Sequence, residues 1–368
     1  MRIGVDAREL AGRATGVGRY LSGLLQEWAR AGHDARHEFV LYAAQPLPMP
    51  LDARRFATRI VAGPTGTWWE QARLPRAIRR DHLDVWFSPA YSAPLLLNLP
   101  IVVAIHDVSF AAHPEWFRVQ EGVRRRWLTR QSAHRARAVI TISEFSKREI
   151  VEHLSVPEAK IHVVPPGVTS TAHPSDPLPN PQSPVPGPYR VLYVGSIFNR
   201  RHVVDLIRAF ATIARRHADV SLDIVGDNRS YPHQDLRAAI AAEGLHTRVR
   251  WHEYISEEQL RDLYAAAGAF AFLSEYEGLG LTPLEALAAG VPPVLLDTPV
   301  ARESCGGGAV YVPPNDIPAV TRALESVLFD AATRARVRAE AGAALAKYGW
   351  PRAARDTLAV IESAVQLR

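Results

Sequence analysis

Ser274-Glu275-Tyr276-Glu277-Gly278-Leu279-Gly280-Leu281-Thr282-Pro283-Leu284-Glu285 is the stretch on which the reading of the fold turns. The apolar run 270–273 leads into it. A Gly-x-Gly loop then opens a helix: Thr282 suits the cap, Pro283 the first helical position, and Glu285 stands three residues after the cap. Leu284, Leu287 and Ala288 form an apolar helix face, Gly290 closes the helix, and 291–296 reads as a buried strand. Strand, loop, short helix, strand is the unit of a doubly wound α/β domain. Such sheets place ligands at the carboxyl ends of their strands, where loops meet helix N-termini. A glycine loop before a helix N-terminus suits phosphate through its N–H groups and the helix dipole. Glu277 and Glu285 flank that site, where they can hold the hydroxyls of a sugar or ribose. Glu285 reads equally well as the last member of a capping box.

The same alternation runs outward in both directions. Strands are predicted at 190–194, 221–225, 249–252, 269–273, 293–296 and 309–312, with helices such as 203–213 and 318–328 between them. Towards the N-terminus strands are predicted at 2–5, 38–42, 85–88, 101–105, 138–142 and 161–164, with a helix at 20–29. Between the two sets lie nine prolines from Pro165 to Pro188, a density that excludes helix and central strand. The chain therefore reads as a Rossmann-like domain at 1–168, a proline-rich linker at 169–188 and a second Rossmann-like domain at 189–349, the two sheets facing a cleft. At 368 residues two domains are the natural expectation.

Composition narrows the class. Hydrophobic residues make up 47% and mean hydropathy is −0.09, as in folded globular proteins. No apolar run nears the roughly 18 residues that cross a bilayer. The first strand begins at once, without a signal peptide, so a cytoplasmic location is the default expectation. One cysteine, Cys305, excludes an intrachain disulfide and a cysteine metal cluster. Net charge is +5, and residues 1–165 hold 23 Lys and Arg against 16 Asp and Glu. Arg118, Arg124, Arg125, Arg126, Arg130, Arg135 and Arg137 gather around Trp127 on one predicted helix. No nucleic-acid motif accompanies them. The pattern reads either as a solvated face or as attraction to an anionic membrane or lipid-phosphate acceptor.

Three further constellations sit at strand ends. Gly16, Val17 and Gly18 lie between the first strand and first helix, where backbone N–H groups approach phosphate or simply open a helix. Gly195 and Ser196 precede Arg200 and Arg201, adjacent permanent cations suited to a diphosphate or to a helix flank. His106 and Asp107 end the strand 101–105. The imidazole is expected to face the cleft rather than the core and to donate to a hydroxyl or leaving-group oxygen, with Asp107 orienting it or touching substrate; a structural pair is the alternative. Gly-x-Ser-x-Gly, P-loop, His-Glu-x-x-His and Asp-x-Asp patterns do not occur. Trp68 and Trp69 read as sugar-stacking, interface or core residues.

Together these residues resemble the retaining glycosyltransferases of family 4, with the GT-B fold and nucleotide-sugar donors. The likeness runs through Gly4-Val5-Asp6-Ala7-Arg8, Gly16 to Tyr20, Ser88-Pro89-Ala90-Tyr91, His106-Asp107, His113 to Phe117, Ser143 to Ser146, Val194-Gly195-Ser196, Val225-Gly226-Asp227, Leu263-Tyr264 and the spaced pair Glu277 and Glu285. Tyr348-Gly349-Trp350 looks like the family's start to a last helix, 350–368, that packs on the first domain. The resemblance implies that Glu277 and His106 contact the donor sugar, that Gly278, Leu279 and Gly280 line it, and that Leu281 and Thr282 meet the diphosphate. It further implies that Glu285 holds ribose, that Arg200 and Arg201 stabilise the departing diphosphate, and that Gly16 and Gly18 close on it. Asp227 and Tyr254 fall near the donor base. No metal or other cofactor is implied. The acceptor would be a glycan or lipid-linked glycan, recognised by the first domain, and the subtype a mannosyl- or rhamnosyltransferase of polysaccharide assembly. The family usually has Arg-Lys-Asn where this chain has Arg200-Arg201-His202. A GT-B sugar-nucleotide epimerase and a non-catalytic sugar-nucleotide-binding scaffold are the competing readings.

Overall fold

The computed structural model describes residues 1–11, 16–30, 36–49, 51–169 and 189–366. The proline-rich segment, from residue 170 to 188, and Gly12 to Thr15 of the first glycine stretch lie outside the described residues. The chain divides into two compact units, Met1–Gly167 with Tyr348–Arg368, and Val168–Lys347.

The first unit holds a seven-stranded parallel sheet: β1 (Arg2–Asp6), β2 (Glu38–Ala43), β3 (Phe56–Ile60), β4 (Val85–Ser88), β5 (Ile101–Ala104), β6 (Ala138–Thr141) and β7 (Ile161–Val163), in the order β3-β2-β1-β4-β5-β6-β7. All four residues of β4, β5 and β6 are buried. Their runs, apolar but for Ser88 and Thr141 at the carboxyl ends, are what a parallel sheet covered on both faces demands. β3 lies at the sheet edge with an exposed half, and its sequence Phe-Ala-Thr-Arg-Ile carries no such run. It is the strand missing from the sequence expectation, because an edge strand is only half buried and half polar. The other predicted strands occur with ends shifted by a residue at most.

The last helix, Trp350–Gln366, belongs to this unit. It buries Ala353, Ala354, Leu358, Val360, Ile361 and Ala364 in the core cluster of Leu24, Trp28 and Phe39. Trp28 Nε1 donates to the Ala354 carbonyl at 2.9 Å. The Trp350 indole presses on Gly23, where a Cβ would lie 2.5 Å from the ring, so that crossing requires glycine.

The second unit holds β8 (Tyr189–Val194), β9 (Val220–Val225), β10 (Val249–His252), β11 (Ala269–Phe272), β12 (Pro293–Leu296) and β13 (Val310–Val312), all parallel, in the order β10-β9-β8-β11-β12-β13. In each unit the strand order reverses beside the first strand, between β1 and β4 and between β8 and β11. Ligand crevices open at such reversals, outside the carboxyl ends.

Candidate active site

At the reversal of the second sheet, β8 ends in Gly195-Ser196 and β11 runs into Ser274 to Glu277. Two loops are thus brought face to face. Arg201, on the 3-10 turn Asn199–Arg201, donates from Nε to Glu277 Oε1 at 2.7 Å and from Nη1 to the Ser196 carbonyl at 2.8 Å. Ser274 Oγ donates to the same Glu277 oxygen at 2.8 Å. The Arg201 guanidinium also lies 4.9 Å from the Phe272 ring, on which Tyr193 stacks. Burial pushes the Arg201 pKa down, but the Glu277 carboxylate and Tyr193 outweigh it, and the net shift is upward. Burial also lifts the Tyr193 phenol to about 12. Arg201 is therefore a fixed cation committed to Glu277. Arg200 follows another course, its guanidinium 4.3 Å from the Phe198 ring and its carbonyl accepting from Glu275 N–H at 2.9 Å.

His202 explains the departure from Arg-Lys-Asn. It caps the helix Val203–Arg216 in the left-handed region, φ 48°, where Asn and His are among the side chains best tolerated. Its ring bridges Glu275 Oε1 at 2.8 Å and Asp205 Oδ2 at 3.1 Å, which ties the two loops together.

The helix after the glycine loop starts earlier than its sequence suggests. It spans Leu281–Ala288, and its N-cap is Gly280 at φ 85°, ψ 64°, with no side-chain cap. Thr282 is therefore not the cap, and Pro283 sits third in the helix, where its missing N–H is still one that no carbonyl would have met. Glu285 lies more than a turn inside and closes no capping box; Oε2 stands 3.5 Å from the Tyr264 hydroxyl. The physical reason is Gly280: a left-handed residue turns the chain into the helix by backbone alone. The N–H groups of Leu281 and Thr282 consequently have no intrahelical acceptor.

Beside this centre, Ser196 Oγ donates to Asp227 Oδ1 at 2.8 Å and Arg229 Nε to Asp227 Oδ2 at 2.6 Å. Burial raises the Asp227 carboxyl, but the Arg229 and Ser196 bonds bring it below the ordinary carboxylate range. Gly226 (φ 148°) abuts Gly195, and a Cβ there would lie 2.0 Å from the Gly195 carbonyl. Tyr254 is exposed, two residues beyond β10 at the same edge. A recess of about 20 Å³ opens next to Glu277, bordered by Phe272, Gly280, Pro283 and Thr298.

The first sheet carries a different group at its reversal. Arg8 donates to Asp6 Oδ2 at 2.5 Å and to Glu70 Oε1 at 2.6 Å, and Ser92 Oγ donates to Glu70 at 2.7 Å. Burial lowers the Arg8 pKa, and the two carboxylates more than reverse it. A pocket of about 180 Å³ lies against Arg8, Glu70, Tyr91, Ser92 and Arg124. Of the tryptophan pair, Trp69 is buried, under Arg8, and Trp68 is exposed.

His106 is not turned out of the core. It is only 8% exposed, its Nε2–H donates to the Pro89 carbonyl at 2.8 Å, and the rings of Tyr20 and Tyr91 meet it edge-on. In this neutral tautomer Nδ1 accepts and does not donate. Burial holds its pKa below the usual histidine value, against the Pro89 bond and the Asp107 charge. Asp107 accepts from the Tyr91 hydroxyl at 2.8 Å and from Ser109 Oγ at 2.7 Å; it reaches the ring through charge, while Pro89 supplies the orienting bond. Gly16, Val17 and Gly18 form the first turn of the helix Gly16–Arg30, and Tyr20 carries that turn to His106. Among the described residues, the group with metal-ligand spacing is Glu149, Glu152 and His153, on the helix Glu144–Leu154.

Sequence reasoning did not find Ser274, Tyr193 and Phe272 around the Arg201 pair, nor Glu70. Glu70 sits on a π-helical turn, Trp69–Arg73, in a segment without a motif.

Comparison with known proteins adds to this geometry. Residues 14–172 match the model of Glycosyltransferase Family 4 and residues 177–343 that of Glycosyl transferases group 1. The chain is similar to O-antigen chain mannosyltransferase B of Escherichia coli, 26% identical over 289 residues, covering 76% of this chain and 74% of the relative. It is likewise similar to the GDP-mannose:cellobiosyl-diphosphopolyprenol alpha-mannosyltransferase of Xanthomonas oryzae pv. oryzae, 28% identical over 309 residues, covering 83% and 78%. Sucrose-phosphate synthase from Thermosynechococcus elongatus shares the fold at a TM-score of 0.79 and 19% identity, with both chains covered in full.

Proposed function

Since the chain belongs to the group 1, family 4 glycosyltransferases, with the GT-B fold, we propose that it moves mannose, or a closely similar hexose, from a nucleotide-sugar donor to a glycan or lipid-linked acceptor. The observation that carries this reading is the cluster at the second sheet's reversal: Glu277 gripped by Arg201 and Ser274, with Arg200 beside it and the N–H groups of Leu281 and Thr282 at hand. GDP-mannose is the proposed donor, supported by the Xanthomonas relative's name.

The donor's diphosphate already carries two negative charges, and breaking its bond to the sugar adds a third as the sugar becomes cation-like. Arg200 and the first-turn N–H groups of Leu281–Ala288 stabilise the leaving group as its charge develops. Glu277 acts on the sugar. Its Oε1 already accepts from Arg201 and Ser274, so the carboxylate is held in one orientation, with Oε2 left for a hydroxyl near the reacting carbon. That arrangement suits electrostatic support of a cation-like sugar better than nucleophilic attack, and anomeric configuration is retained by same-face delivery of the acceptor. Arginine and N–H dipoles fill the charge-stabilising role without a metal ion. Glu285 takes the ribose hydroxyls, and Asp227 and Tyr254 lie on the base side. The first unit, with Arg8 and Glu70 lining an open pocket, takes the acceptor's hydroxyls at the cytoplasmic side of the membrane.

The test is a panel of nucleotide sugars, scored by thermal stabilisation and by transfer to lipid-linked glycans. GDP-mannose is expected to raise the melting midpoint and be consumed. Glu277→Ala is expected to keep binding and lose turnover. No response to any nucleotide or nucleotide sugar would refute the reading.

A further inference from the structure

The helix Val119–Arg135 carries a surface that transfer chemistry does not use. Its inner face is Gly122, Leu128, Thr129, Ser132 and Ala133. The outer face of such a helix is ordinarily polar. Here Val119 is 79% exposed, Val123 54% and Trp127 56%. They recur every four residues, so the three stand in one ridge along the helix. The helix holds five arginines against one acid, Glu121, and by helical spacing Arg126 and Arg130 flank the ridge. Arg124 donates to Thr67 Oγ1 at 2.5 Å, which brings Trp68, 73% exposed, beside the same helix.

Single exposed apolar side chains are ordinary, but a contiguous ridge rimmed with one sign of charge marks an interaction surface. The charge selects the partner. Nucleic acid would satisfy Arg126 and Arg130 but offers no hydrocarbon to the valines. An anionic bilayer offers both, with phosphates at the level of the guanidinium groups and acyl chains just beneath. Tryptophan is the aromatic side chain suited to that boundary. The excess of cations also lies in this half: 20 Lys and Arg in 166–368 are outnumbered by 22 Asp and Glu.

We propose that the Val119–Val123–Trp127 ridge, with its arginine margin and Trp68, docks the protein onto an anionic bilayer, the helix lying in the plane of the interface. The proposal is independent of the donor reading and stands if that fails.

Flotation of the full chain with vesicles tests it. Binding is expected to vesicles containing phosphatidylglycerol, to be at least about tenfold weaker to pure phosphatidylcholine, and to fall with salt. Val119→Ser, Val123→Ser and Trp127→Ser together are expected to weaken binding about tenfold or more, with the melting midpoint of the parent. Brominated phospholipid is expected to quench tryptophan emission in the parent and less in Trp127→Phe, a variant that keeps the ridge apolar. Absence of binding to the anionic vesicles would overturn the proposal. So would a triple serine variant that binds as the parent does, equal quenching in Trp127→Phe, or a preference for duplex DNA over vesicles at equal salt.

Discussion

The two sheet reversals occupy the same place in the same topology and hold the same kind of pair, a buried arginine against a carboxylate. They differ in what is left over. At β8 and β11, Arg201 is matched by one carboxylate, Glu277, and Arg200 stands next to it. At β1 and β4, Arg8 is shared by two carboxylates, Asp6 and Glu70. Counted over these side chains alone, the first set keeps one positive charge and the second one negative charge, which Arg124 and Arg125 at the edge of the neighbouring pocket offset. The same strand reversal thus carries two different pairings, and the chemistry of each lies in single side chains rather than in the fold.

Removing the shared arginine would break that contrast most severely. Arg8→Ala leaves Asp6 and Glu70 buried against each other without a counter-charge, which costs about 3–5 kcal/mol. Chemical denaturation should show an early transition for the first unit; an unchanged curve would mean that the triad does not hold that crevice together. On the other side, Arg200→Ala is expected to lower kcat about 10²–10³-fold with little change in melting, and Arg200→Lys to recover part of it, since a point charge lacks the planar fork. Normal turnover in Arg200→Ala would remove the phosphate reading of that crevice.

Glycines sharpen the contrast at smaller scale. Gly226→Ala places a methyl 2.0 Å from the Gly195 carbonyl at φ 148°, and its backbone strain alone is of order 1–3 kcal/mol. A lowered melt with weakened nucleotide binding is expected. Gly16 has open space around its would-be Cβ, so Gly16→Ala is expected to stabilise the first unit by roughly 0.5–1 kcal/mol. Loss of turnover at that raised stability would assign Gly16 to close approach of the donor; full turnover would make it only a helix start. The mildest effect concerns pH. The folded His106 titrates below an unfolded histidine, about 6.5. The unfolded chain therefore takes up its proton first; this contribution is intact above that value and is lost as pH falls through the folded pKa. Melting midpoints of His106→Gln should decline less steeply below that pH than those of the parent, and equal slopes would exclude His106 as the acid-sensitive group.

How far the sequence reveals these features depends on burial and range. β4, β5 and β6 are legible because strands covered on both faces are apolar along nearly all their length. β3 escapes because an edge strand need not be. Glu277 is legible from its glycine loop, whereas the cap is misplaced: Thr282, Pro283 and Glu285 imitate a capping box that the left-handed Gly280 makes unnecessary. His106 is legible as a strand-end residue, but its burial is decided by Tyr20, 86 positions earlier in the chain, and by the Pro89 carbonyl.

What the sequence determined by itself is local: where apolar runs make strands, where glycine meets a helix start, and which family's pattern the chain carries. The tertiary structure decided the partnerships. Arg201 and Glu277 are 76 positions apart and Arg8 and Glu70 are 62 apart. No local propensity encodes such contacts, because they exist only once parallel strands distant in sequence are laid side by side. Which charges each pair compensates at its crevice follows from that pairing.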